Sequence, residues 1–428
     1  MNCRSHPVSP ASVLGALAAV LFVIAAASSA DIPRPDEPGP FHVGITTFDA
    51  PMSGGRVTRV QVFYPTFAPA DEEFRYTILT PAGTYQLRSA LGAAGDATAL
   101  PMGFPLVVYD HGGGAAGSDF QRVAQFPLHE LMATHGFVVA VALHSASAVN
   151  RVRDLPLVID AMLARSATEG DPLWGSIDPT RIGISGHSAG GATAIGAAAS
   201  WTDNGLAPDP RIKAMVLYEP SPPSPDRYTL DDASTLSIPY MAMGGLQSIN
   251  GLALPTLFEA TALAMPRIYV LTPSATHFNY LTSMGSEIDQ TREAALLADP
   301  TLPEPLTTLT ASNPAAARAY QLWNQGEIFF PLLGPGAGSG RNYCDRVGVN
   351  SVRSLDADGD GFTDSPPLMV DDPFLLGPAI REEVMVPLIK LYTVAFWKAF
   401  LAGDRRYMAY LTPGYAKRND LEAVVAIE

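Results

Sequence analysis

Cysteine is nearly absent from this sequence, with two in 428 residues. Cys3 precedes an apolar N-terminal run, and Cys344 stands alone far downstream. Once that run is removed, one cysteine is left, so no intrachain disulfide can form and a disulfide-stapled scaffold is excluded. Cys344 then reads as a structural or free thiol, because a better nucleophile is present. Basic residues are also scarce: 27 Lys and Arg against 42 Asp and Glu give a formal net charge of −15. Such a surface repels nucleic acid and anionic membranes, so no nucleic-acid partner is expected. Beyond the N-terminal run no segment reads as a membrane helix, and no internal repeat is visible. What the chain does have is 47% hydrophobic residues, enough for a large core in one or two domains and too many for global disorder.

The N-terminus carries the pattern of a secretory signal peptide over residues 1–30. Arg4 supplies a positive start, Ala11 to Ala27 is apolar, and Ser28-Ser29-Ala30 offers small residues before a cut. Asp31 then opens a Pro-rich polar stretch. The apolar run is short for a membrane span, which favours cleavage over an uncleaved anchor. Cleavage removes Arg4 and no acid, leaving the rest one unit more negative. A secreted or periplasmic protein, with no stable membrane span after signal removal, is the expectation.

From Phe41 to Pro65 apolar and polar residues alternate, and Val57, Val60, Val62 and Tyr64 predict half-buried antiparallel strands. Thr66 to Met102 reads as loop. The rhythm then changes to short apolar runs: Phe104–Asp110, Phe137–Leu143, Arg181–Gly186, Ile212–Tyr218, Ile238–Met243 and Arg267–Leu271. Helical patterns lie between several of them, at Phe120–His135, Val152–Ser166, Ala189–Trp201 and Leu254–Ala264. Strand–helix alternation with near-continuous apolar strands predicts an α/β fold: a mostly parallel twisted sheet with helices on both faces. Sites in such sheets lie at the carboxyl ends of the strands. Residues 284–380, rich in Pro, Gly and acids, read as a long insertion, a lid or flanking subdomain, before the last helix at Glu382–Leu401.

The most informative stretch is Arg181-Ile182-Gly183-Ile184-Ser185-Gly186-His187-Ser188-Ala189-Gly190-Gly191. A strand, then G-x-S-x-G, then a helix of small residues is the context that turns a common five-residue pattern into a candidate nucleophile turn. Ser188 would sit on the turn with its hydroxyl exposed, and the helix N-terminus would favour developing negative charge. Ser185 lies within the strand and lacks the turn. Phe104–Asp110 runs directly into His111-Gly112-Gly113-Gly114. Glycines there let backbone N–H groups approach an oxyanion, so Gly112 or Gly113, with Ala189, are the candidate donors. His111 would orient that loop through its ring nitrogens.

Of eight histidines, His277 has both the chain order and the setting of a general base, following the last predicted strand. His144 ends a strand but precedes Ser188, and reads as a site wall or structural residue. His129 and His135 flank Glu130 six residues apart, on different helix faces, and H-E-x-x-H is absent, so zinc hydrolysis is not expected. The acid is less determined. The loop after Ile238–Met243 holds no carboxylate, whereas Ile212–Tyr218 ends in Glu219-Pro220. Glu219 is favoured and Asp226, in the next loop, is the alternative.

Asp356, Asp358, Asp360 and Asp364, with Gly361 and the Phe362 carbonyl, match the first nine positions of an EF-hand-type loop. Position twelve should be Glu and is Pro367, so Asp371 is a candidate to complete the shell. A structural Ca2+ in the insertion is expected, against the alternative of a solvated acidic loop.

The segments Asp178-Pro179-Thr180-Arg181-Ile182-Gly183 and Gly186 to Gly191 resemble dienelactone-hydrolase-like esterases. These grade into platelet-activating-factor acetylhydrolases, chlorophyllases and cutinase-like polyester hydrolases. Asp110 to Gly114 is similar to their oxyanion segment, and Thr276 to Asn279 to their histidine segment. Tyr218-Glu219-Pro220 falls where chlorophyllases and the acetylhydrolases place the triad aspartate, with Glu substituted. Ala395 to Lys398, Leu401 to Asp404 and Tyr410 to Thr412 resemble their terminal helix. The likeness covers most of 41–280 and 381–415 and departs in the insertion. It implies an α/β-hydrolase fold and a Ser–acid–His triad that cleaves carboxylic esters without a cofactor. The substrate would be a small-molecule ester, or alternatively a polyester or phospholipid. A noncatalytic binding protein on the same scaffold is the reading of a different class.

Overall fold

The computed structural model describes residues 32–80, 83–113, 119–144, 148–224, 227–246, 248–273, 275, 277–282, 362–363, 379–380 and 382–428. The chain divides into Met1–Arg34 and Pro35–Glu428, and the elements below belong to the second unit. The signal segment 1–30, Gly114, Asp226, Cys344 and all but four residues of 284–380 lie outside the described residues.

Strands β1 (His42–Pro51) and β2 (Val57–Thr66) pair antiparallel, from His42 opposite Thr66 to Pro51 opposite Val57. Strands β3 (Arg75–Thr80) and β4 (Gly83–Arg88) form a separate antiparallel pair, and the short β5 (Ala94–Gly95) lies beside β1. Then come β6 (Phe104–Asp110), α1 (Phe126–Thr134), β7 (Val138–Ala142), α2 (Ala148–Ala167), β8 (Ile177–His187), α3 (Ala189–Ala198) and β9 (Ile212–Tyr218). They are followed by α4 (Leu230–Ser234), β10 (Tyr240–Gly245), α5 (Ile249–Leu252), α6 (Leu254–Ala260) and β11 (Arg267–Thr272). Two residue pairs, β12 (Phe362–Thr363) and β13 (Ala379–Ile380), bridge each other. Helices α7 (Glu382–Phe400) and α8 (Pro413–Asn419) lead to β14 (Val424–Ile427).

The ten-stranded sheet runs β14-β11-β10-β9-β8-β6-β7-β2-β1-β5. Strands β11 to β7 in this order are parallel, and β2 and β14 join antiparallel at its two flanks. Every residue of β6, β7 and β10 is buried, as expected of parallel strands covered on both faces. Strand order reverses between β6 and β8: from β6 the chain moves outward through β7, and from β8 it moves the other way through β9, β10 and β11. A crevice opens at the carboxyl ends on either side of such a switch point. Helix α7 closes against β8, where a Cβ on Gly183 would strike the Trp397 ring.

Three local expectations are corrected. Val60, Val62, Phe63 and Tyr64 are all buried, because β2 is an interior strand between β1 and β7 rather than a half-exposed one. The stretch 66–102 is not only loop: it holds β3, β4 and β5. The helix expected from Phe120 starts at Phe126, with Pro127 in its first turn, after a separate turn at Asp119–Arg122.

Candidate active site

Ser188 stands between β8 and α3 with φ 55 and ψ −120, a backbone conformation that costs a non-glycine residue energy. Hydrogen bonds hold it there. The Ser188 N–H donates to the Tyr218 carbonyl (3.0 Å), and the Ser188 carbonyl accepts from the Ser221 N–H (2.9 Å). The flanking glycines are sterically required. A Cβ on Gly186 would collide with the Gly190 backbone, and one on Gly190 with the carbonyls of Asp110 and His111. Ala189 opens α3, so its N–H has no acceptor within the helix and points from the helix N-terminus.

Strand register brings the glycine loop alongside. Asp110 pairs with Gly186 and His187 with Tyr218, so the segments after β6, β8 and β9 emerge together. A Cβ on Gly112 would lie 3.2 Å from Ser188 Cβ and 2.8 Å from His187 Nδ1, which leaves room at this position for glycine alone. Gly113 has φ 82. His111 is buried at the start of the loop: Nε2 accepts the His144 N–H (2.9 Å), which leaves the proton on Nδ1 to be donated to the Gly112 carbonyl (2.6 Å). Burial pushes the His111 ring down to about 3, so it is neutral.

His277 begins a short turn, His277–Tyr280, five residues past β11, and is fully buried. Its carbonyl accepts from His187 Nε2 (3.0 Å) and the two rings lie 4.6 Å apart, so His277 rests against the residue preceding Ser188. Its Nδ1 faces Glu219 Oε2 at 3.4 Å. Burial pushes His277 down to about 3, which keeps the imidazole neutral. Glu219 follows β9 with φ 46, a second non-glycine residue in left-handed backbone, anchored by its N–H on the Met243 carbonyl (2.8 Å). Its buried carboxylate accepts from the Gly245 N–H and from the Ser248 hydroxyl (2.6 Å). Burial lifts Glu219 to about 7, against the pull of those donors. A carboxylate backing a neutral imidazole can hold the imidazolium that forms when the ring takes up a proton, and the strained serine lies one residue beyond the histidine against which His277 rests.

Ser248 and Asn250 were not singled out from the sequence. Ser248 caps α5 and Asn250 lies in its first turn, so the segment after β10 offers no carboxylate and instead fastens the one that follows β9. The Asn250 side-chain amide donates to the Glu219 carbonyl (3.0 Å) and lies 3.2 Å from His277 Nδ1. Only the absence of an acid in that loop could have pointed to it.

The other flagged histidines are engaged elsewhere. His129 packs against Phe63 and Tyr109, His135 Nε2 meets the Glu37 carbonyl (2.8 Å), and Glu130 accepts from Tyr76, Ser89 and the Leu91 N–H. Among the described residues no group of three or more His, Cys, Asp or Glu is placed to hold a metal ion. Asp356, Asp358, Asp360 and Asp364 lie outside them, and Phe362 is described only by its pairing in β12. No helix of the described residues is long and apolar enough to cross a membrane.

No protein-family model matches the chain, and no curated protein matches it. Among solved structures, a ferulic acid esterase from Streptomyces cinnamoneus is similar in fold, with a TM-score of 0.51 and 16% identity over 91% of this chain and 98% of that chain. The likeness is one of architecture: with its mostly parallel sheet and helices, this chain has an α/β fold.

Proposed function

We propose that this chain is an exported serine hydrolase of carboxylic esters, with Ser188 as nucleophile, His277 as general base and Glu219 as the acid that orients it. The observation that carries the reading is the backbone of Ser188. A serine held at positive φ by two hydrogen bonds, between a buried strand and a helix, stores strain whose use is to present its hydroxyl. The resemblance to dienelactone-hydrolase-like esterases and the esterase description of the structural neighbour support the same reaction class.

In this mechanism Ser188 Oγ attacks the ester carbonyl as its proton passes to His277 Nε2. The oxyanion is held by N–H groups of Ala189 and of Gly112 or Gly113. Collapse breaks the bond to the alcohol, which leaves with the proton from His277, and the acyl group stays on Ser188. Water then repeats the sequence and releases the acid. Glu219 keeps the His277 proton on Nδ1 and stabilises the imidazolium without taking its charge. No cofactor enters these steps. The calcium loop at Asp356 to Asp364 would be structural.

The substrate is a small soluble ester in this reading, with polyester and phospholipid esters as the comparison class. Ser188→Ala should lower kcat on p-nitrophenyl acetate by about 10^4-fold or more, because the triad acts as a unit. It should also abolish labelling by a fluorophosphonate probe. Labelling or turnover that survives in the variant would refute the assignment, and lack of labelling in the wild type would favour a binding protein.

A further inference from the structure

We propose that Arg151 is a positioning residue for the oxyanion hole. The proposal rests on the serine-hydrolase reading above and deepens it. Arg151 lies in the first turns of α2 and is almost fully buried. Its guanidinium does two things at once. It grips Asp110 through Nε (3.2 Å) and Nη2 (2.7 Å), and it donates to the carbonyls of His111 and of Gly113, the latter at 3.1 Å from Nη1. A planar fork with five fixed donors suits this task, which a single ammonium does not.

The consequence follows from peptide geometry. In a trans peptide the carbonyl and the following N–H point in opposite directions. Drawing the His111 carbonyl onto Arg151 therefore turns the Gly112 N–H away from Arg151. Gly112 itself lies against the nucleophile turn, since a Cβ on it would be 3.2 Å from Ser188 Cβ. The next carbonyl, that of Gly112, is taken by His111 Nδ1, and the one after, that of Gly113, again by Arg151. Each carbonyl of the loop from His111 to Gly113 is thus tied down, which fixes the peptide planes that set the directions of the Gly112 and Gly113 N–H groups before any substrate arrives.

The anchor is itself anchored. Thr193 of α3 donates to Asp110, so the same carboxylate joins the oxyanion loop to the helix that carries Ser188. His144 lies with Nε2 3.6 Å from Asp110 and Nδ1 3.8 Å from Asp154. Asp154 in turn is held by Ser53 Oγ (2.7 Å) and Arg56 (2.7 Å). Burial would raise the Asp110 carboxyl, but Arg151, then His144 and His111, overcome this and hold it at about 2. Asp110 is therefore a permanent anion that neutralises Arg151. Arg151 serves as a clamp, and no free cation is directed at the substrate.

The test uses Arg151→Lys and Arg151→Met in the full chain, with p-nitrophenyl acetate as substrate and phenylboronic acid as the transition-state mimic. Lysine keeps the charge facing Asp110 but cannot hold both carbonyls. The expected result for Arg151→Lys, at native circular dichroism, is kcat lower by about 10- to 100-fold with KM within about twofold. Phenylboronic acid affinity should weaken by the same factor, and Arg151→Met should lose at least as much. A merely structural role would lower melting temperature without moving boronate affinity. Unchanged kcat and unchanged boronate affinity in a folded Arg151→Lys would overturn the proposal. Ser188→Ala separates the two readings: if it abolishes turnover while the Arg151 variants behave as wild type, only the clamp is lost. If Ser188→Ala stays active, the serine-hydrolase reading fails first.

Discussion

Glu219 holds two unfavourable states together: a carboxylate without solvent, and a side-chain-bearing residue at φ 46. Both persist because its neighbours over-determine them. Replacing it with Gln puts an amide N–H against the Gly245 N–H, the Ser248 hydroxyl or His277 Nδ1, and removes the charge that stabilises imidazolium. Glu219→Gln should lower kcat by about 10^3- to 10^4-fold with little change in KM. Asp226→Asn should leave kcat within about twofold by the same logic, and a larger loss there would move the acid to Asp226. The pH profile carries a second check. His277 is already pushed down by burial, so it is in its basic form throughout the neutral range. Glu219 is lifted to about 7, and in the proposed mechanism it acts only as the anion. Activity should therefore fall as pH drops through about 7, and the weak residual activity of Glu219→Gln should lack that limb. At this scale the sequence speaks where chemistry demands a rare pattern. Ser188 is marked by its glycines, His277 by chain order, and Glu219 by the end of an apolar strand. Ser248, Asn250 and Arg151 are invisible, because hydroxyl, amide and guanidinium groups acquire their partners only through folding across 29, 31 and 41 residues.

Elements were easiest to read where burial is uniform. The parallel strands β6, β7 and β10 appear as near-continuous apolar runs because both faces are covered, and β9 and β11 depart from this only at Lys213 and at the half-buried Tyr269 and Leu271. The β3–β4 pair escapes, since Arg75, Thr77, Gln86 and Arg88 alternate with its buried Tyr76, Ile78 and Leu87, and a polar fastening adds to that packing. Glu130 of α1 receives Tyr76 Oη (2.5 Å), Ser89 Oγ (2.8 Å) and the Leu91 N–H (2.7 Å), tying the pair to the helix. Burial lifts this carboxyl from 4.5 to about 7, despite those donors. A group with a raised folded pKa binds its proton more tightly when folded. Its contribution is full below about 4.5 and is lost as pH rises through about 7. Glu130→Gln leaves the amide facing donors at all pH values, at a cost of about 1–3 kcal/mol. That cost should be largest near pH 5 and shrink by pH 8 in urea unfolding. A penalty equal or greater at pH 8 would show that Glu130 does not titrate as described.

For the molecule as a whole, the least readable feature is how the sheet ends. Arg267–Leu271 reads as the last strand in the sequence, yet β14 closes the sheet beyond it with only four residues. Val424 is exposed and only Val425 of this strand is buried, and the apolar run Val424-Val425-Ala426-Ile427 is too short by itself to announce a strand. What holds β14 is backbone and charge. Arg267 and Glu428 exchange N–H···O bonds of 2.9 and 3.0 Å, their side chains form an ion pair, and the Arg267 guanidinium lies 4.5 Å from the centre of the Phe258 ring. Removing residues 424–428 would leave β11 as an edge with unpaired N–H and C=O groups, a template for another chain. The truncated protein should melt more than about 5 °C lower and form larger species visible by light scattering. The catalytic consequence is separate, because His277 is also held by His187 and Glu219 on strands farther inside. Its monomeric fraction should keep kcat/KM within about tenfold at low temperature, since a terminal strand that touches none of the reacting groups should not alter their geometry. A truncated chain that stays monodisperse with an unchanged melting temperature would mean that β11 needs no cover. Loss of activity in the still-folded monomer would mean instead that β14 sets the path of the loop carrying His277.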